Sequence, residues 1–127
     1  TAERGRARLS TTNEIVNRLA GEESSLILCG HSHVPRVVTL PDGRLIVNPG
    51  SVGLQAYDDD FPEPLVIESG SPHARYAIME WIDGSWKVEI VSLAYDHESA
   101  ANQAARNGRP EWEHALRTGF MPGEEQL

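Results

Sequence analysis

LILCGHSHVPR, residues 26–36, is the stretch on which the reading of this chain turns. A short apolar run ends abruptly in Gly30, His31, Ser32 and His33, and Pro35 then breaks any continuing ladder because it has no N–H to donate. A strand that delivers two imidazoles one residue apart at its end is a common way for a sheet to present metal ligands. Spacing alone is a weak signal, because two partly exposed loop histidines would look the same. A structural zinc site also needs about four nitrogen or sulfur donors and a catalytic one about three. His73, His97 and His114 lie in other predicted elements and read as surface residues, and Asp58, Asp59 and Asp60 read as a solvated acidic turn. Cys29 closes the apolar run and is expected to be a small buried hydrophobe.

Upstream, three arginines in the first ten residues and little apolar content suggest a surface segment or a cut connection. Thr11 with Glu14 forms a capping-box pattern, Ile15, Val16, Leu19 and Ala20 share a helical face, and Gly21 supplies a stop, predicting a helix over 12–20. Downstream, β-branched runs at 36–40 and 44–47 flank Pro41, Asp42 and Gly43, the pattern of a hairpin. NPGSVG at 48–53 packs turn formers so densely that its backbone must follow a special path. Residues 54–72 are acidic and proline-containing and predict an exposed loop. A second hairpin is expected from 74–82 and 86–93 around Asp83, Gly84 and Ser85, with Tyr76, Met79, Trp81 and Trp86 on its core or sheet faces. Asp96 caps a helix running to about Asn107, Pro110 opens a shorter one, and 119–127 reads as a frayed tail.

The 127 residues are enough for one domain, and 39% hydrophobic with 24% charged is ordinary globular composition. The net charge of -8 argues against a general nucleic-acid or anionic-membrane surface, which needs Lys and Arg to neutralise phosphate. With one cysteine there is no internal disulfide, and a cytoplasmic location is expected; no apolar run approaches a membrane span.

CGHSHVPR at 29–36, then a hairpin, then NPGSVG at 48–53, resembles the C-terminal part of the calcineurin-like metallophosphoesterases, in particular their small bacterial and archaeal phosphodiesterase branch. The resemblance covers about 12–118. It implies an α/β (α+β) fold, the C-terminal half of a four-layer α/β/β/α sandwich, with two hairpins and flanking helices, so that 1–127 is a single partial domain. It further implies that His31 and His33 each ligate one of two divalent ions (Mn, Fe, Zn or Ni), which bind phosphate oxygens and activate water for in-line attack. Gly30 would permit the turn because a side chain there would crowd the metal corner, and Asn48, Gly50 and Ser51 would shape the neighbouring loop. Arg36 is a further residue within reach of a substrate phosphate, or else a surface strand residue.

The resembled family's other motifs, Asp-x-His, Gly-Asp-x-x-Asp, Gly-Asn-His-Glu/Asp and a histidine preceding GHxH, are absent from this sequence. The resemblance therefore implies the second half of an enzyme, inactive by itself, whose catalytic residues lie in an N-terminal half or a complementary chain. The start at Thr1 favours a cut product over a natural split gene. The expected substrate is a small phosphomonoester or phosphodiester, and uncovered faces lead us to expect self-association. Two other readings stand beside it: a non-catalytic interaction module that keeps the fold, and a mononuclear site built from His31 and His33 across a dimer.

Overall fold

The computed structural model describes residues 2–3, 6–60 and 62–123. Its organising strand is β5 (Leu45–Asn48), which has β3 (Leu26–Leu28) on one side and β4 (Arg36–Thr39) on the other. Strand β3 runs parallel to it, with Ile27 opposite Ile46, and β4 runs antiparallel, with Val38 opposite Ile46. Flanked on both edges, β5 is buried at Ile46, Val47 and Asn48, as a central strand of continuous apolar character should be. Because β3 and β4 run in opposite directions on either side of β5, the seven residues 29–35 must arch over its C-terminal end. That arch spans two strand spacings, about 10 Å. NPGSVG leaves the same end, so pairing alone brings the two motifs together.

The helix α1 (Thr12–Arg18) starts as its sequence predicts. Thr11 caps it, with the Glu14 N–H bonded to the Thr11 hydroxyl and the Glu14 carboxylate accepting from the Thr11 N–H at 2.8 Å. It ends earlier than expected, and no residue of α1 is buried: Ile15 and Leu19 are half-covered while Val16 and Ala20 are exposed.

The exposed loop expected at 54–72 is corrected. The segment folds into a hairpin of β6 (Ala56–Asp59) and β7 (Leu65–Glu68), with Phe61 outside the described residues. Its base is fixed by Gln55, which is fully buried: its amide donates to the Ser51 carbonyl at 2.5 Å and its Oε1 accepts from the Ser69 hydroxyl at 3.2 Å. The acidic composition misled because Asp58 and Asp59 occupy the exposed end of β6 while Ala56 and Ile67 are buried. The first ten residues, expected as a surface segment or a cut connection, contain short strands β1 (Ala2–Glu3) and β2 (Arg6–Ala7), and β2 lies parallel to β7; Thr1, Arg4 and Gly5 lie outside the described residues.

The second hairpin forms as expected from β8 (Ala74–Ile82) and β9 (Ser85–Leu93). Asp83 and Gly84 both have positive φ, 49° and 82°, the two-residue turn whose twist suits a hairpin. Helices α2 (His97–Arg106) and α3 (Pro110–Thr118) pack together, and Ala101, Ala104 and Ala115 are buried. Ala115 also joins Ala56 and Met121 in a small core against β6. The frayed tail is corrected as far as residue 121. The Gly119 carbonyl accepts from Gly70 N–H at 2.9 Å, the Met121 N–H donates to Glu68 at 2.8 Å, and Met121 is buried. Residues 124–127 lie outside the described residues.

Gly119 is held at φ 78°, and a Cβ there would sit 2.2 Å from the Ser71 nitrogen. Gly119→Ala therefore combines left-handed strain with backbone overlap and should cost about 3 kcal/mol. Gly108→Ala, at φ 72° in open space, should cost only about 1 kcal/mol from strain alone. Urea midpoints of the two variants check the contrast. Glu14 supplies an acid test: hydrogen bonds from Arg8 and then Thr11 lower its carboxyl from 4.5 to about 2. A depressed carboxyl contributes stability that is present above its ordinary value and lost as pH falls through the folded value. The Thr11 and Glu14 amides should therefore lose exchange protection as pH drops from 4.5 towards 2, which amide exchange across that window would detect.

Candidate metal-binding corner

In the arch over β5, His31 and His33 both adopt left-handed backbone, with φ 75° and 58°. For residues with a Cβ this conformation costs roughly 1–2 kcal/mol each, so it persists only where surrounding bonds over-determine it. Gly30, the residue expected to make the turn, has no positive φ, and a Cβ on it would meet nothing within 4 Å. Within this chain a side chain at Gly30 has room, and the histidines themselves take the unusual backbone.

Several bonds fix this loop. His33 Nδ1 lies 2.6 Å from the Leu54 carbonyl oxygen. A carbonyl only accepts, so Nδ1 carries the proton in the neutral ring and Nε2 keeps its lone pair for a ligand. The Tyr57 hydroxyl donates to the His31 carbonyl. The Tyr57 ring packs 4.6 Å from the His33 ring and 6.1 Å from that of His31. Burial, and secondarily the Asp59 carboxylate, raise the Tyr57 phenol above its ordinary value, so it remains a donor at neutral pH. Asn48, 7% exposed, ties the arch to the following loop: its amide donates to the Ser32 hydroxyl at 2.9 Å and its Oδ1 accepts from the Gly50 N–H at 3.0 Å.

Gly50 is required here twice over. Its φ is 85°, and a Cβ would meet Arg75 Cβ at 2.9 Å and Pro35 Cδ at 3.2 Å, with the His33 carbonyl at 3.5 Å. Only a residue without a side chain lets NPGSVG run this close beneath the histidine arch. Ser51 anchors the loop's far side, its carbonyl accepting from Arg75 N–H at 2.8 Å and from Gln55, and its hydroxyl accepting from Gly53 N–H at 3.3 Å.

The corner opens on two sides. A cavity of about 370 Å³ is lined by His31, His33, Tyr57, Asp58, Arg109 and Trp112, among others. A second, mainly apolar groove of about 570 Å³ runs from His31 and Asn48 across Ile27, Val38 and Ile46 to α1. Arg36 lines this groove and donates to the Ser10 carbonyl at 2.8 Å. Cys29, expected to be buried, is instead exposed. Its Sγ still approaches the Val47 carbonyl at 3.7 Å, and partial desolvation pushes the thiol up, away from reactive thiolate character.

His73, His97 and His114 are not brought to the corner. His97 Nδ1 lies 3.2 Å from the Tyr95 carbonyl, and His114, expected at the surface, has its Nε2 buried. Among the described residues, no group of three or more His, Cys, Asp or Glu is arranged to hold a metal. The corner thus fits as part of a metal site, two imidazoles with one nitrogen freed, and falls short of a complete donor set. Tyr57 is the site residue that sequence reasoning missed. It lay inside a segment predicted as loop, and only strand alternation around it would have pointed inward.

No family model matches the chain. An uncharacterised protein of Methanocaldococcus jannaschii is 33% identical over an alignment of 101 residues, and the match covers 68% of this chain and 36% of that protein. The crystal structure of a metallophosphoesterase from Sphaerobacter thermophilus superposes with a TM-score of 0.63 at 24% identity, covering 86% of this chain and 48% of that one. The chain thus spans about a third of the curated relative and about half of the solved structure. Its mixed α+β architecture is the fold of part of a metallophosphoesterase.

Proposed function

We propose that this chain contributes one part of the active site of a dinuclear-metal phosphoesterase that hydrolyses phosphomonoesters or phosphodiesters. The carrying observation is the corner itself: two left-handed histidines, with His33 Nε2 freed by the Leu54 carbonyl, in a metallophosphoesterase fold. His31 and His33 would each hold one of two adjacent divalent ions, and the remaining ligands and the catalytic residues would come from residues outside this chain. Bound there, such ions would polarise the phosphoryl group and lower the pKa of the attacking water. The chain's own contribution is to aim the two imidazoles. Asn48, Gly50 and Ser51 keep the loop beneath them in place, Tyr57 holds the His31 carbonyl, and Leu54 and Tyr57 seat the His33 ring. Cytosolic placement accords with the lone cysteine, and among the described residues no helix is long and apolar enough to cross a membrane.

The test joins this chain to the polypeptide supplying the other ligands and assays a chromogenic phosphodiester and phosphomonoester with Mn²⁺. Hydrolysis should depend on metal and fall by at least about 100-fold in either His31→Ala or His33→Ala, while this chain alone should show no turnover. Activity indifferent to both substitutions would sink the phosphoesterase reading and leave an interaction module. The uncovered faces supply a second check. Ile78, Trp81 and Leu93 on the β8–β9 hairpin are 49%, 59% and 50% exposed. If those faces pack against another part of the fold, this 14.0 kDa chain alone should scatter light as a larger species. A monodisperse monomer would show that the faces need no cover.

A further inference from the structure

We propose that Tyr57 is a positioning residue for the histidine pair, holding the His31 carbonyl through its hydroxyl and seating the His33 imidazole against its ring. The role rests on the reading of His31 and His33 as metal ligands. Tyr57 belongs to β6, two connections away from the arch, so the ligands are set from outside their own loop.

The clamp is confined to one short segment. Leu54 accepts from His33 Nδ1, and Tyr57, three residues later, touches both histidines. That segment is anchored independently of the site. Between the two clamp residues lie Gln55 and Ala56, both fully buried, and Tyr57 is registered opposite Ile67, 2% exposed. A rigid element thus presses on a strained one. Left-handed backbone at His31 and His33 would relax if the arch were free, and a relaxed arch would swing both rings away from a shared centre. Outer-sphere partners of metal-binding histidines, which fix ring orientation, typically change metal affinity by about 10–100-fold when removed.

The two contacts of Tyr57 are separable, which makes the role testable on this chain joined to the polypeptide that supplies the other ligands. Tyr57→Phe keeps the ring and deletes the hydroxyl, whereas Tyr57→Leu removes both the hydroxyl and the aromatic face. The readouts are Mn²⁺-induced broadening of the histidine ring signals and the backbone amide shift of Ser32, which follows the His31 carbonyl. Thermal unfolding serves as the control for the fold. In Tyr57→Phe the Ser32 amide should move, the His33 ring signals should stay, and about tenfold more Mn²⁺ should be needed for equal broadening. In Tyr57→Leu the His33 ring signals should move as well. A Tyr57→Phe variant indistinguishable from the parent in Ser32 shift and Mn²⁺ titration would overturn the positioning role. With the remaining ligands supplied, histidines that are never broadened by Mn²⁺, while Ser32 still moves in Tyr57→Phe, would overturn the metal reading beneath it and leave Tyr57 as a loop clamp only.

Discussion

The arrangement of the corner depends on one constraint, the double pairing of β5. A strand with a parallel neighbour on one edge and an antiparallel neighbour on the other forces the β3–β4 connection to pass over its C-terminal end. NPGSVG starts at that end because β5 stops there. Two loops meeting in so small a space must satisfy their backbone groups between them. Asn48 does this: as the last residue of β5 it is still in the ladder, opposite Arg36, yet its side chain reaches Ser32 in one loop and Gly50 in the other. The residues gathered at the corner are the consequence of that topology.

The energetics of the arch are a near balance. Two non-glycine residues in the left-handed region cost together roughly 2–4 kcal/mol. The bonds opposing that cost are His33 to Leu54, Tyr57 to His31 and Asn48 to Ser32. At about 0.5–1.5 kcal/mol net apiece they are of the same size as the strain. Neither side wins by a wide margin, so the conformation is held only while all of its partners are present. A loop with no chemical demand on it would be expected to carry glycine or asparagine at such positions. Histidine at both positions is an observation in favour of the ligand role proposed above.

The elements that were legible in the sequence are those whose signals are local. The capping box at Thr11 and Glu14, the Asp83–Gly84 turn and the Asp96 cap of α2 each act within a few residues, and each is found where its residues place it. The β6–β7 hairpin was illegible because its stability is not local. Its base is stapled by the buried Gln55 amide to Ser51 and Ser69, and its core contact comes from Ala115 and Met121, far along the chain from Ala56. A buried glutamine reads as a surface residue in any composition-based argument. The docking of Gly119 and Met121 was hidden for the same reason, since its partners are Gly70 and Glu68. Within the site, the histidines announced themselves and Tyr57 did not, because a tyrosine in a strand is ordinary until something distant leans on it.

The distribution of apolar surface bears on how far this chain is self-sufficient. Five of the ten buried apolar residues are alanines, and Val47 and Gln55 are the largest side chains that are fully buried among those described. Small side chains remove little area from water, and hydrophobic stabilisation scales with that area at about 25 cal/mol per Å². Meanwhile the β8–β9 ribbon carries apolar residues on both faces, Tyr76, Ile78 and Ile82 on one and Met79, Trp81 and Trp86 on the other. An isolated two-stranded ribbon is marginal in water, and a sheet apolar on both sides is built to lie between two layers. The chain aligns with 48% of a solved metallophosphoesterase, and α1 buries no residue of its own. A core this thin beside apolar faces this open favours the proposal that residues outside the chain complete its packing as well as its ligand set.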